Sequence, residues 1–279
     1  MMSVKLKDRY DIVIHGSGIP GMALALLLAK QANISRPSIL LVDRQKYIAD
    51  TGVQQQPVDK TDFDLRVFAL TYASRQLFEI IGVWPGDDAL RVYPYIRMNV
   101  WDSDSKDSSR KGNIIFDAAE VGTPSLGYII ENRVILDWLN KQVEQTSTID
   151  RYVGDSLAWF QEEGSVLNIR FQSGKSLHAK LLVGADGAMS KVRELAGIPL
   201  AHWSYQQTAV VATVETEKSH QKTAWQRFLP TGPLAFLPMQ PPFCSIVWST
   251  SDAQADMLCN MPESEFLKLL ENSFEGKLG

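Results

Sequence analysis

Cysteine is scarce in this sequence. Cys244 and Cys259 form no close-spaced pair, so neither a disulfide framework nor a zinc site is indicated. Histidine is scarce too. His15, His178, His202 and His220 are scattered without metal-ligand spacing, and no metal is expected. Long apolar runs are missing: the longest, Met22 to Ala29, is far short of a bilayer span. The opening stretch MMSVKLKDRYDIVIHG lacks the apolar region and small residues of a signal peptide. Basic charge is not in excess either. The net charge is −4 over 279 residues, which argues against a general nucleic-acid binder. These absences leave a soluble cytoplasmic protein as the expected class.

What is present is apolar residues, 45% of the chain, enough for one large domain or two modest ones. Tyr10 to His15 and Ile39 to Asp43 read as short apolar strands around a helix, Ile19 to Gln31, with almost no polar face. Such strands around a buried helix suit a βαβ unit in a parallel sheet covered on both faces. Between the first strand and the helix stands Gly16-Ser17-Gly18-Ile19-Pro20-Gly21, the spacing G-x-G-x-x-G. Gly16 lets the strand turn, Gly18 lets a pyrophosphate approach the backbone, and Gly21 lets helix and strand pack closely. Pro20 fits the first helical turn, where no N–H partner is lost. The helix end then offers free N–H groups and a favourable dipole to an anion. Asp43 ends the next strand, where a ribose 2′-OH needs an acceptor. An acid there favours NAD or the adenosine half of FAD over NADP. The spacing alone also fits a tight turn without a ligand.

Further along, helices are expected at Ala73 to Ile81 and Val134 to Gln145. Strands are expected at Ile96 to Trp101, Asn113 to Phe116, Val153 to Phe160, Val166 to Phe171 and Ser176 to Val183. Gln54 to Asp64 and the DSDSKDSSRK stretch read as polar loops. From Ala209 the pattern alternates like an antiparallel sheet: Ala209 to Thr216, Thr223 to Leu229, Pro233 to Pro238 and Ser245 to Ser251. A last helix is expected at Glu263 to Phe274. The fold class is therefore α/β, a Rossmann-like domain with a parallel sheet, plus a second α+β domain with a mainly antiparallel sheet.

Three stretches, DLRVFALTYASRQLFEIIGVW, LLVGADGAMSKVR and AWQRFLPTGPLAFLP, resemble the ubiquinone-biosynthesis hydroxylases. These are flavoprotein aromatic hydroxylases related to p-hydroxybenzoate hydroxylase. The resemblance implies an FAD-binding domain over 1–88 and 125–199 and a substrate-binding domain over 89–124 and 200–279. Asp186 and Gly187 match the family's Asp-Gly motif near the FAD ribose and the path of the nicotinamide cofactor. The residues themselves allow two roles for Asp186, a carboxylate aimed at a sugar hydroxyl or a cap on the next helix. Arg66 matches an arginine near the flavin, and Arg133 a position that reaches the FAD pyrophosphate. Arg44 reads equally as a surface cation or an adenine contact.

The resemblance implies an enzyme in which NAD(P)H reduces FAD, O₂ adds to give a flavin hydroperoxide, and one oxygen is delivered to the ring of a polyprenyl phenol. Such chemistry needs a dry pocket, for which Phe228, Leu234 and Phe236 are candidate walls, equally readable as sheet core. No side chain stands out as a general base. A polyprenyl substrate implies peripheral contact with the inner membrane, or a complex of ubiquinone-biosynthesis proteins. The family's later Gly-Asp-Ala-Ala-His-type motif is not found, so weak or absent flavin is expected in these 279 residues alone. The rival readings are a hydroxylase of a soluble aromatic substrate, a flavin-dependent reductase, a non-catalytic scaffold subunit keeping the fold, and an NAD-linked dehydrogenase.

Overall fold

A computed structural model describes residues 6–31, 36–45, 60–102 and 112–279. In chain order the elements are β1 (Arg9–His15), α1 (Ile19–Lys30), β2 (Ile39–Asp43), β3 (Val67–Thr71), α2 (Tyr72–Ile81), β4 (Tyr93–Tyr95), β5 (Arg97–Asp102), β6 (Asn113–Asp117), β7 (Gly127–Glu131) and α3 (Asn132–Glu144). They continue as β8 (Ile149–Val153), β9 (Leu157–Glu163), β10 (Val166–Phe171), β11 (Ser176–Gly184), α4 (Lys191–Leu195), β12 (Gln207–Glu215), β13 (Thr223–Leu229), β14 (Gly232–Pro238), β15 (Phe243–Ser251), α5 (Asp252–Asn260) and α6 (Glu263–Ser273). Most of the polar loop expected at 102–111, and residues 54–59 of the other, lie outside the described residues.

The chain divides into two compact units. The first comprises Met1–Gly52, Gln76–Trp84 and Ile135–His202. The second comprises Val53–Arg75, Pro85–Val134 and Trp203–Gly279. This division gives 53–75, 85–88 and 125–134 to the second unit, where the sequence reading had grouped them with the first.

The first unit is built on a sheet in the order β8-β2-β1-β11-β10-β9. Its first four strands are parallel, and β10 and β9 return antiparallel. Ile39, Leu40, Leu41 and Val42 are all fully buried, as a strand covered on both faces requires. Helix α1 buries Gly21, Met22, Ala23, Ala25 and Leu26, so its lack of a polar face is matched by its burial. The single strand expected at Val153 to Phe160 is two strands, β8 and β9. Gly154 sits at the break with φ +82°, and β8 joins the parallel set while β9 joins the antiparallel one.

The second unit holds a sheet in the order β12-β15-β14-β13-β5-β6, antiparallel except where β13 meets β5. A smaller sheet, β3-β7-β4, is antiparallel. Strands β3 and β7 were not anticipated. Each is five residues long and runs directly into a helix, so no turn residue marks its end. One face of the larger sheet packs Leu234, Phe236, Ile246 and Trp248 against Leu258, Leu270 and Phe274. The rings of Phe236 and Phe274 stack at 4.0 Å. Burying these large side chains is the main stabilising term of this unit.

Candidate nucleotide site at the glycine turn

The turn from β1 into α1 is held by steric limits that only glycine satisfies. Gly16 has φ +110°, and a Cβ there would collide with the carbonyl oxygen of Ala185. A Cβ at Gly21 would collide with the carbonyl oxygen of Gly16. Gly18 differs. It is the N-cap of α1, with extended backbone, and a Cβ there would meet only Pro20 Cδ at 3.9 Å. The other two glycines are demanded by packing, whereas Gly18 faces open space.

No side chain caps this helix end, and its first turn carries no acidic residue. Pro20 stands in the first turn, where its missing N–H costs nothing. The remaining N–H groups and the positive end of the dipole are therefore uncompensated by the protein, which is the arrangement an anion completes.

Asp43 reaches the same turn. Its Oδ2 accepts from the Ser17 N–H at 2.7 Å and the Ser17 hydroxyl at 2.8 Å, and Oδ1 accepts from the Gln45 N–H at 2.8 Å. An ionised carboxylate offers about four acceptor positions, so among the described residues one remains on Oδ1. Arg44, the next residue, is exposed. The structure thus brings Gly16, Gly18, Gly21 and Asp43 together.

Asp186 approaches from the end of β11, and four donors engage its carboxylate. Oδ1 accepts from the Ser190 hydroxyl at 2.5 Å. Oδ2 accepts from the N–H groups of Lys191 at 2.6 Å and Val192 at 3.3 Å, and lies 3.0 Å from His15 Nδ1. Burial raises its pKa, but the hydrogen bonds from Ser190, Lys191 and Val192 outweigh burial and hold the carboxyl below the usual carboxylate range. Three of these donors meet Oδ2 and one meets Oδ1, so Oδ1 keeps an acceptor position among the described residues. Asp186 holds the first N–H groups of α4, whose N-cap is Ser190, and its Oδ1 can still accept from a sugar hydroxyl. Gly187, at φ +83°, has no atom within 4 Å of a Cβ built on it.

His15 is the residue that sequence reasoning missed. It is buried at the end of β1 with Nε2 3.4 Å from the Leu157 N–H and from Ser156 Oγ. A backbone N–H can only donate, so Nε2 is the acceptor and Nδ1 carries the proton toward Asp186. His15 therefore ties β1, the start of β9 and the Asp186 turn. The available signal was its position as a polar residue closing an apolar strand beside Gly16.

The remaining candidates lie in the second unit. Arg66 and Arg133 are brought together, because the Asn132 N–H donates to the Arg66 carbonyl at 2.8 Å. Arg66 is exposed, with its guanidinium 5.5 Å from the Phe68 ring. Arg133 donates from Nε to Glu131 at 3.1 Å and from Nη2 to the Asp62 carbonyl. The structure separates the three candidate pocket residues. Leu234 and Phe236 are 0% and 4% exposed on the helix-covered face, so they are sheet core. Phe228 alternates to the opposite face, which it shares with Val100, Ala235, Val247 and Val211, and is 45% exposed.

A cavity of about 610 Å³ in the first unit lies against β9, β10, β11 and α4. Phe160, Leu181, Val192, Arg193 and Ile198 line it, and none of Gly16, Gly18, Gly21 or Asp43 does.

With this geometry in hand, similarity to known proteins is informative. The family described as "FAD binding domain" matches residues 147–277. Ubiquinone biosynthesis monooxygenase COQ6 of Danio rerio is 34% identical over 98% of this chain and 56% of its own length. The 3-demethoxyubiquinol 3-hydroxylase of Escherichia coli K12 is 34% identical over 96% of this chain and 64% of its own. By sequence this chain is similar to these ubiquinone-biosynthesis enzymes. It spans little more than half the length of the first of these hydroxylases and under two thirds of the second. A solved structure similar in fold is pqsL, a probable FAD-dependent monooxygenase from Pseudomonas aeruginosa. Its TM-score is 0.75 at 17% identity, covering 95% of this chain and 67% of that one.

Proposed function

We propose that this chain carries the nucleotide-binding part of an FAD-dependent monooxygenase that hydroxylates the ring of a polyprenyl phenol in ubiquinone biosynthesis. The observation that carries the reading is the mouth of α1, with Gly18 open, no capping side chain, and Asp43 holding Ser17 beside it. The residues present fit the adenosine diphosphate half of FAD. The free N–H groups at the start of α1 take the diphosphate, and the spare acceptor position on Asp43 takes a ribose hydroxyl. Bound FAD supplies the redox chemistry, accepting hydride from NAD(P)H and activating O₂.

The protein's part is to hold and to keep dry. Gly16 and Gly21 fix the turn, and Asp186 fixes the neighbouring turn through α4 and His15. Phe228, Val211, Val247 and Val100 give the second unit's open sheet face an apolar surface suited to an aromatic ring or a prenyl tail. Among the described residues no helix is long and apolar enough to cross a membrane. A prenylated substrate would then be met by peripheral contact or delivered by partner proteins.

Titration of FAD against its own fluorescence tests the cofactor, with Asp43→Ala expected to weaken binding about tenfold through loss of a charge-assisted hydrogen bond. Product analysis with NAD(P)H, ¹⁸O₂ and a prenylated phenol tests the reaction. Label in a ring hydroxyl of that phenol is the expected result, and turnover of a soluble aromatic acid alone would redirect the assignment.

A further inference from the structure

Strand β6 forms one edge of the larger sheet in the second unit and pairs with β5 alone. The register is Trp101↔Asn113, Val100↔Ile114, Asn99↔Ile115, Met98↔Phe116 and Arg97↔Asp117, without a bulge. Natural sheet edges are commonly blunted by lysine, proline, a bulge or a covering element. β6 reads Asn-Ile-Ile-Phe-Asp and has neither lysine nor proline. Its large apolar side chains stand in solvent, Ile114 at 57% exposure and Ile115 and Phe116 at 50%. Ile114, opposite Val100, and Phe116 lie on the open face of the sheet, while Ile115 lies on the other, so both faces of this edge are apolar.

The backbone of the edge is open as well. The Asp102 N–H donates to the Gly112 carbonyl at 3.2 Å, and the Ala118 N–H to the Ile96 carbonyl at 2.8 Å. Residues that bond to the neighbouring strand alternate in an antiparallel ladder, so Ile114 and Phe116 also bond toward β5. The N–H and C=O groups of Asn113 and Ile115, and the N–H of Asp117, therefore point outward. Among the described residues no second strand pairs with them.

This edge is complementary to its own image. A two-fold contact requires one patch to match itself across the axis. With the axis at Ile115, the Ile115 N–H reaches the copy's Ile115 carbonyl and the Asp117 N–H reaches the copy's Asn113 carbonyl, each twice by symmetry. On the open face Ile114 of each copy lies opposite Phe116 of the other, an apolar cross-strand pair. On the other face Asn113 lies opposite Asp117. That carboxylate is already paired with Arg97 through Oδ2 at 2.8 Å, and its Oδ1 takes the Ala119 N–H at 3.0 Å. An acceptor position on Oδ1 remains, among the described residues, for the copy's Asn113 amide. Moving the axis to Asp117 sets two carboxylates against each other, so the charges select the register centred on Ile115.

We propose that β6 is a homodimer interface, in which two copies of this chain pair antiparallel about Ile115 and join their larger sheets edge to edge. The contact is one strand wide, which places it among small, concentration-dependent interfaces rather than obligate ones. It is independent of the flavin reading above.

Sedimentation velocity over a dilution series tests it. Wild type is expected to exchange between monomer and dimer with concentration. Ile115→Lys, a charge at a half-exposed edge position, is expected to be monomeric throughout while melting at the wild-type temperature. Wild type that stays monomeric at its highest soluble concentration, or a dimer that survives Ile115→Lys, overturns the proposal. Cross-linking reads the register and does not depend on the lysine variant folding. Cys244 is buried and Cys259 exposed, so the background is Cys259→Ser. Ile115→Cys then faces itself with Cα atoms about 5.5 Å apart, within disulfide reach. Mild oxidation is expected to give a covalent dimer, whereas Val121→Cys, also exposed but outside the strand, remains monomeric. Equal cross-linking of the two would mean random collision and defeat the register. Flotation with phosphatidylcholine vesicles separates the other occupant: vesicle binding lost in Ile115→Lys, with wild type monomeric in solution, would assign the edge to a lipid surface instead.

Discussion

His15 and Asp186, 171 residues apart in the chain, meet at 3.0 Å between Nδ1 and Oδ2. The contact joins the residue just before the glycine turn to the turn that leads into α4. Both side chains are nearly sealed from solvent, at 4% and 10% exposure. In such surroundings a polar group without its partner is costly.

Asp186→Ala removes the acceptor for His15, Ser190, Lys191 and Val192 together. The expected loss is about 2 kcal/mol or more, combining a helix cap with an orphaned buried donor. Urea unfolding reads it directly. A variant as stable as wild type would show that water replaces the carboxylate without penalty.

The glycines of the turn separate folding from binding. Gly21→Ala is expected to destabilise or block folding, because its Cβ meets the Gly16 carbonyl oxygen, a backbone atom that cannot move aside. Gly18→Ala is expected to fold with nearly the wild-type melting temperature and yet to bind FAD more weakly, since its Cβ enters the space proposed for the diphosphate. Wild-type flavin affinity in Gly18→Ala would refute that assignment of the space.

Two positions on adjacent strands distinguish core from candidate pocket. Leu234→Ala is expected to cost about 2–5 kcal/mol, as a fully buried leucine does. Phe228→Ala, from a half-exposed site, is expected to cost much less stability while raising KM for a prenylated phenol. Equal destabilisation by the two would place Phe228 in the core as well.

Acid stability should report Asp11. The hydrogen bond from Lys180 and those from the Ser38 N–H and hydroxyl pull its carboxyl down from 3.8 to about 2. A folded value below the unfolded one adds stability above the unfolded value and loses it as pH falls through the folded one. The contribution is therefore complete at neutral pH and disappears between about pH 4 and pH 2. Asp11→Asn is expected to flatten that part of a plot of urea midpoint against pH. Superimposable acid limbs would contradict the assignment.

The sequence by itself determined the elements whose pattern is local. The run from Tyr10 through the three glycines to Asp43 specifies strand, turn, helix and strand, because apolar strands, a helix without a polar face and the G-x-G-x-x-G spacing each act over a few residues. The antiparallel texture after Ala209 was legible for the same reason. Tertiary structure alone decided the partnerships. Glu131 could not be recognised as the partner of Arg91 and the Asp64 N–H, since these reach it only when residues 62–66 and β7 come together. That Asp186 gathers donors from His15, Ser190, Lys191 and Val192 was not visible in the sequence, because His15 lies 171 residues away. In β14 both alternating sets are apolar, so the pattern could not say that Leu234 and Phe236 face the helices while Phe228 on β13 faces away. Local periodicity fixes which residues share a face. Only packing decides which face is covered and which buried charges find one another.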